Sequence, residues 1–138
     1  MSSAEGDQAM GPERESGDSV EAAWDFQARS AADWDDRARA STAIWVPPIM
    51  QALVDAARNS VLGRFYPFTS HARLCFSTGP RYWLGEGDVL PVCIALLSGG
   101  SYSVAHKHDH PVEALLQTTS ADEAVTTAVR VLKDHLQP

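Results

Sequence analysis

Val92-Cys93-Ile94-Ala95-Leu96-Leu97-Ser98-Gly99-Gly100-Ser101-Tyr102-Ser103-Val104-Ala105-His106 is the stretch that decides the fold. Its first six residues are nearly all apolar, as a strand covered on both faces requires. Ser98-Gly99-Gly100-Ser101 then reads as a tight hairpin, because glycine accepts the positive φ that such turns demand. Tyr102–His106 returns as the antiparallel neighbour. Upstream, Ala72–Ser77 alternates, with Leu74 and Phe76 on one face and Arg73 and Cys75 on the other, and Thr78-Gly79-Pro80 ends it. Arg81–Leu84 reads as a short strand and Gly85-Glu86-Gly87-Asp88 as a loop. Downstream, Asp109-His110-Pro111 turns and Val112–Thr118 forms the last strand. The expectation is an antiparallel meander of about four strands.

Helical periods flank it. Ser120-x-x-Glu123 is a capping box, and Val125, Ala128, Val129, Leu132 and Leu136 form one stripe, predicting a helix over 121–136. Pro48 suits a first helical turn. Met50, Leu53, Val54, Ala57 and Val61 then predict a helix over 48–61, with Gly63 as its stop. Asp18-x-x-Glu21 and Ser30-x-x-Asp33 are two start signals, predicting two short helices or one broken helix over 19–40. The order is α+β: N-terminal helices, the meander, and a C-terminal helix packed on it.

Composition narrows the function. The 138 residues suit one domain, with 44% hydrophobic residues to build its core. Residues 1–17 are rich in Gly, Ser, Glu and Asp with no apolar period, and read as a disordered acidic tail ahead of a single domain over 18–138. The net charge is −7, and residues 1–40 carry ten of the 18 acids against four of the 11 bases. With no basic stripe to neutralise phosphates, nucleic acid is not expected as a partner. Neither is a membrane, since no apolar run approaches the roughly 20 residues a span needs. The first residues carry no basic, apolar leader, so the cytoplasm is the expected compartment. There Cys75 and Cys93 are expected as thiols.

Three groups of residues could carry chemistry. His106, His108 and His110 share one strand face if the strand continues, and imidazole is a common metal ligand. Gly100, His106, His108 and Glu113 also resemble the first metal-binding motif of the cupin family, which implies a metal held by His106, His108 and Glu113. The resemblance stops there: Ser120 stands where the motif closes on glycine, and no second motif follows. The bland alternative is a polar hairpin end. Second, His71, Arg73 and Cys75 alternate onto one face, so Cys75 is a candidate nucleophile with His71 as base. A small packing cysteine is the alternative. Third, Phe68, Thr69, His71, Tyr82, Trp83 and Tyr102 could line an apolar pocket with polar handles, or simply pack as core. No phosphate-cradling glycine loop and no common hydrolase or zinc-protease motif is present. No cofactor is indicated.

Pro67-Phe68-Thr69-Ser70-His71, Phe76-Ser77, Gly100-x-Tyr102-x-Val104 and Asp122-Glu123-Ala124-Val125 together resemble an actinobacterial family labelled as natural-product biosynthesis proteins. The resemblance spans about residues 65–126. It implies a setting in specialised metabolism and no catalytic residues. The expected function is therefore an accessory protein that binds a small molecule or a biosynthetic protein or peptide. The rival is a small enzyme of the same setting, using His71 or the His106/His108 and Glu113 segment.

Overall fold

A computed structural model describes residues 19–40, 48–70, 72–97, 99–106 and 114–136. Helices α1 (Val20–Ala40) and α2 (Met50–Arg58) precede five strands, β1 (Tyr66–Ser70), β2 (Arg73–Ser77), β3 (Val92–Leu97), β4 (Ser101–His106) and β5 (Ala114–Thr118). Helix α3 (Ala121–Leu136) closes the chain. The sheet is an antiparallel meander in the order β1-β2-β3-β4-β5, so the α+β expectation holds.

Strand alternation sorts the sheet into two faces. Leu74, Phe76, Val92, Ile94, Leu96, Tyr102 and Val104 point into the core beneath the helices. The helices form one layer on that face: α1 lies along β1 and against α2, α3 covers β3, β4 and β5, and α2 sits between them. Met50, Leu53, Val54 and Ala57, at helical spacing, are fully buried on α2. Trp24 spans the layers, its ring centroid 6.3 Å from that of Phe76 at a 33° tilt and its indole N–H donating to the Phe65 carbonyl at 2.9 Å.

The helix ends follow local chemistry. Ser19 starts α1: its Oγ accepts from the Ala22 amide at 3.0 Å. Asp18, the expected partner of Glu21, lies outside the described residues. The helix then runs unbroken for 21 residues through Ser30, where a second start was expected. Its buried stripe is Trp24, Gln27, Ala31 and Asp35, continuous at three- and four-residue spacing but half polar, so a purely apolar period misses it. At α3 the Ser120 Oγ accepts from the Glu123 amide at 3.1 Å, as a capping box requires. The reciprocal half is rerouted: the Ser120 amide donates to Thr118 Oγ1 at 3.0 Å, and the Thr118 hydroxyl donates to the Glu123 carboxylate. Helix α2 is shorter than expected. It ends at Arg58, and a 3-10 turn follows over Val61–Arg64.

The fifth strand, β1, was masked in the sequence by Pro67. Proline is tolerated at a sheet edge where its missing N–H faces outward. Ser70 and Arg73 close the hairpin as a hydrogen-bonded pair, so by alternation Pro67 and Phe76 form a non-bonded pair: the Pro67 nitrogen points away from β2, while its ring is buried. The opposite edge is β5, uncharged, with Leu115 44% exposed. Between β3 and β4 the Gly100 amide donates to the Leu97 carbonyl at 3.0 Å, and Gly100 takes a φ of +88°, as the hairpin reading required. No helix among the described residues is long and apolar enough to cross a membrane.

Candidate functional site at the β2–β3 hairpin tip

The structure disperses the aromatic residues expected to line one pocket. Tyr102 faces the helix layer, 2% exposed, and its hydroxyl donates to the Ile49 carbonyl at 2.7 Å. Phe68 pairs with Cys75 and so lies on the opposite face of the sheet. Thr69 is exposed on the edge strand, and Trp83 points outward at 64% exposure. Phe68, Trp83 and Tyr102 therefore cannot share one cavity. His71 and the Tyr82 side chain lie outside the described residues.

The other two groups are only partly placed. Cys75 is on the Arg73 face, as alternation predicts, and it is 0% exposed, the setting of the packing alternative rather than of a reactive thiolate. Cys93, buried on the same face of β3, is likewise a thiol. His106 ends β4, half-buried opposite Val92. His108, His110 and Glu113 lie outside the described residues, and among those described no cluster of three metal-ligating side chains forms.

What the structure adds is the excursion between β2 and β3. Residues 78–91 were expected to hold a short strand at Arg81–Leu84, but that segment is a 3-10 turn over Tyr82–Leu84. Arg81 and Glu86 form a β-bridge, and the Arg81 carbonyl accepts from both the Leu84 amide at 3.0 Å and the Glu86 amide at 3.2 Å. The Arg81 guanidinium also reaches Glu86 Oε1, through Nε at 3.0 Å and a terminal nitrogen at 2.9 Å. Below, the Thr78 amide donates to the Asp88 carbonyl at 2.9 Å, and the Asp88 amide to Thr78 Oγ1 at 2.8 Å. Gly79 and Gly87 press together there: a Cβ on Gly79 would stand 1.5 Å from the Glu86 carbonyl oxygen.

The tip of this hairpin is held by backbone hydrogen bonds and glycine contact, while two large apolar side chains on it are turned outward. Trp83 and Leu84 are each 64% exposed. Full burial would stabilise such a side chain by roughly 1.5–3 kcal/mol, and the exposed part of that area is open to a partner. A rigid turn presenting an exposed Trp beside a Leu has the character of an interface anchor. The sequence named Trp83 but not Leu84. The signal was the paired spacing of Gly79 and Gly87 around an apolar dipeptide, which reads as a loop unless that close approach is known.

A second polar cluster is structural. Asp35, 2% exposed on α1, accepts from the Met50 amide through Oδ1 and the Gln51 amide through Oδ2, both at 3.0 Å. Ile49, the residue at the cap position of α2, makes no side-chain cap of its own. Both carboxylate oxygens are engaged by α2, which makes Asp35 the N-terminal cap that Ile49 does not supply. Burial, with the Asp35 charge nearby, pushes the Tyr102 hydroxyl up to a pKa of about 12.

Among comparisons with known proteins, one family model matches residues 18–138, described as a family of unknown function. No curated protein and no solved structure matches the chain.

Proposed function

The chain belongs to DUF6193, and from that premise, which carries kinship and no activity, we propose that it is an accessory binding protein of a specialised-metabolism pathway. Its partner is a protein or peptide rather than a small molecule enclosed in an aromatic pocket. One observation carries the reading: a braced hairpin tip holds Trp83 and Leu84 in solvent. The complementary partner surface is an apolar pocket, and charge adds little to it, because Arg81 pairs with Glu86 beside the tip and leaves only Asp88 in excess there.

The test uses the pathway's carrier and precursor peptides and its neighbouring enzymes, titrated calorimetrically against the full chain. Trp83→Ala or Leu84→Ala should each weaken binding by at least about 30-fold, the loss typical of an anchor residue. The Trp83 emission should shift to the blue in the complex. Turnover of a pathway intermediate by the purified chain alone would instead establish the rival enzyme reading. His71→Ala and His106→Ala variants would then locate the chemistry.

A further inference from the structure

Cys75 and Cys93 stand on the sheet face opposite the helices, 0% and 2% exposed, and both are thiols. They are buried without belonging to the core beneath the helices, which takes Leu74, Phe76, Val92 and Ile94 from the alternate positions of the same two strands. What sets them apart from two separate packing cysteines is register.

β2 and β3 pair Arg73 with Ala95 and Leu74 with Ile94. The next step along that ladder brings Cys75 opposite Cys93. The Leu96 amide donates to the Ala72 carbonyl at 3.0 Å, so the pair at Ala72 and Leu96 is hydrogen-bonded. Alternation then makes Leu74 with Ile94 a bonded pair and Cys75 with Cys93 a non-bonded one. Non-bonded pairs hold their Cα atoms about 4.5 Å apart and their side chains closest together. A disulfide spans Cα separations of roughly 4.4–6.8 Å, so the fold sets the two thiols within reach of one another. Just beyond them the strands leave this register: the Phe76 carbonyl accepts from the Leu90 amide at 2.8 Å, where the unbroken ladder would set Val92 opposite Phe76. The thiols thus mark the last step of the ladder, at the root of the hairpin that carries Trp83 and Leu84. Their neighbours on the adjoining strands are Phe68, opposite Cys75, and Ala105, opposite Cys93.

We infer that Cys75 and Cys93 form a reversible intramolecular disulfide, a redox-sensitive staple across the root of the β2–β3 hairpin. The oxidant is a hydroperoxide, and hydrogen peroxide, close to water in size, suits a pair so little exposed. One sulfur, as thiolate, attacks a peroxide oxygen; the O–O bond breaks, and the departing hydroxide takes up a proton as water. The other thiolate attacks the resulting sulfenic sulfur; the S–O bond breaks, the S–S bond forms, and a second hydroxide leaves as water. The two thiols lose two electrons and two protons, and the peroxide ends as two waters. Burial disfavours the thiolate, so opening of the hairpin root gates the first step. The second needs no diffusion, because the partner sulfur stands on the adjoining strand. The bond closes a ring from residue 75 to residue 93, where only two register pairs join the strands. A small dithiol reopens it by exchange.

The experiment treats the folded full chain with hydrogen peroxide, alkylates whatever thiol remains, and reads intact and peptide masses without reduction. The expected product is a monomer lighter by two hydrogens, with the Cys75 and Cys93 peptides joined and nothing left to alkylate. Dithiothreitol should restore the starting mass. Oxidation should raise the thermal midpoint by about 5 °C or more, because the bond constrains the unfolded chain. Cys75→Ala and Cys93→Ala should each abolish both the cross-link and the rise. Circular dichroism checks the fold of these variants, and the masses of the parent chain decide the matter whether or not they fold. Sulfinic acid on one cysteine alone, a cross-linked dimer of two chains, or thiols still open to alkylation after prolonged exposure would each overturn the inference. So would a cross-link that lowers the midpoint, since the native geometry would then oppose the bond.

Discussion

Tyr102 and Asp35 grip the same end of α2, one at a carbonyl and the other at two amides. The Tyr102 hydroxyl donates to the Ile49 carbonyl at 2.7 Å, and the Asp35 carboxylate takes the next two amides, at Met50 and Gln51. A helix of nine residues with no N-terminal side-chain cap of its own is thereby fixed by one residue of α1 and one of β4.

Removing the carboxylate should therefore cost more than an ordinary cap. Asp35→Ala leaves the buried Met50 amide without an acceptor, and the expected loss is about 2–3 kcal/mol. Asp35→Asn keeps one acceptor oxygen and should lose about half as much. Urea unfolding, with an unchanged dependence on denaturant, would measure both.

Tyr102 makes alkaline pH a probe of the same contact. Its folded pKa, about 12, lies above the unfolded value of 10.0. The folded state therefore holds the proton where the unfolded state releases it. The stabilisation is complete below pH 10 and is lost as pH rises from there towards 12. Tyr102→Phe should remove this slope relative to the parent chain. At neutral pH it should cost only about 1 kcal/mol, the worth of one hydrogen bond. Equal slopes between pH 9 and 11.5 in both proteins would contradict it.

The hairpin tip should fail at a glycine well before it fails at its ion pair. Gly79→Ala puts a methyl group into the Glu86 carbonyl, so the backbone must move, and a loss of about 2 kcal/mol or more is expected. Arg81→Ala removes an exposed ion pair worth about 0–1 kcal/mol. Gly99→Ala meets nothing within 4 Å and should be neutral or slightly stabilising. Thermal midpoints rank the three.

Leu53→Ala, at the fully buried centre of α2, should destabilise by about 2–5 kcal/mol. Leu115→Ala, 44% exposed on β5, should stay within about 0.5 kcal/mol. Denaturant midpoints of the pair would show how much stability depends on the helix layer.

Local rules were enough wherever the residues spoke for themselves. The Gly99-Gly100 turn, the Val92–Leu97 strand and the 121–136 helix all stand as read. Reading failed where a partner distant in sequence decides the outcome. Asp35 looks like one more acid on an acidic helix until α2 is placed over it. Tyr102 reads equally as pocket or core until the Ile49 carbonyl is found above its hydroxyl. Pro67 breaks a strand pattern unless the strand is known to lie at an edge. The site was legible only in its Trp83; the turn that presents it depends on contact between two glycines eight residues apart.

Pro67 has a further effect on how copies of this chain meet. A filament built by strand addition needs two unlike adhesive ends, so that each new subunit offers a fresh one. At the β1 end of this sheet one outward donor is missing, and the ladder cannot be continued there in full. The strand at the other edge, β5, carries neither proline nor charge. Strand addition to this sheet is therefore disfavoured at one edge, where the proline acts as a chain stopper.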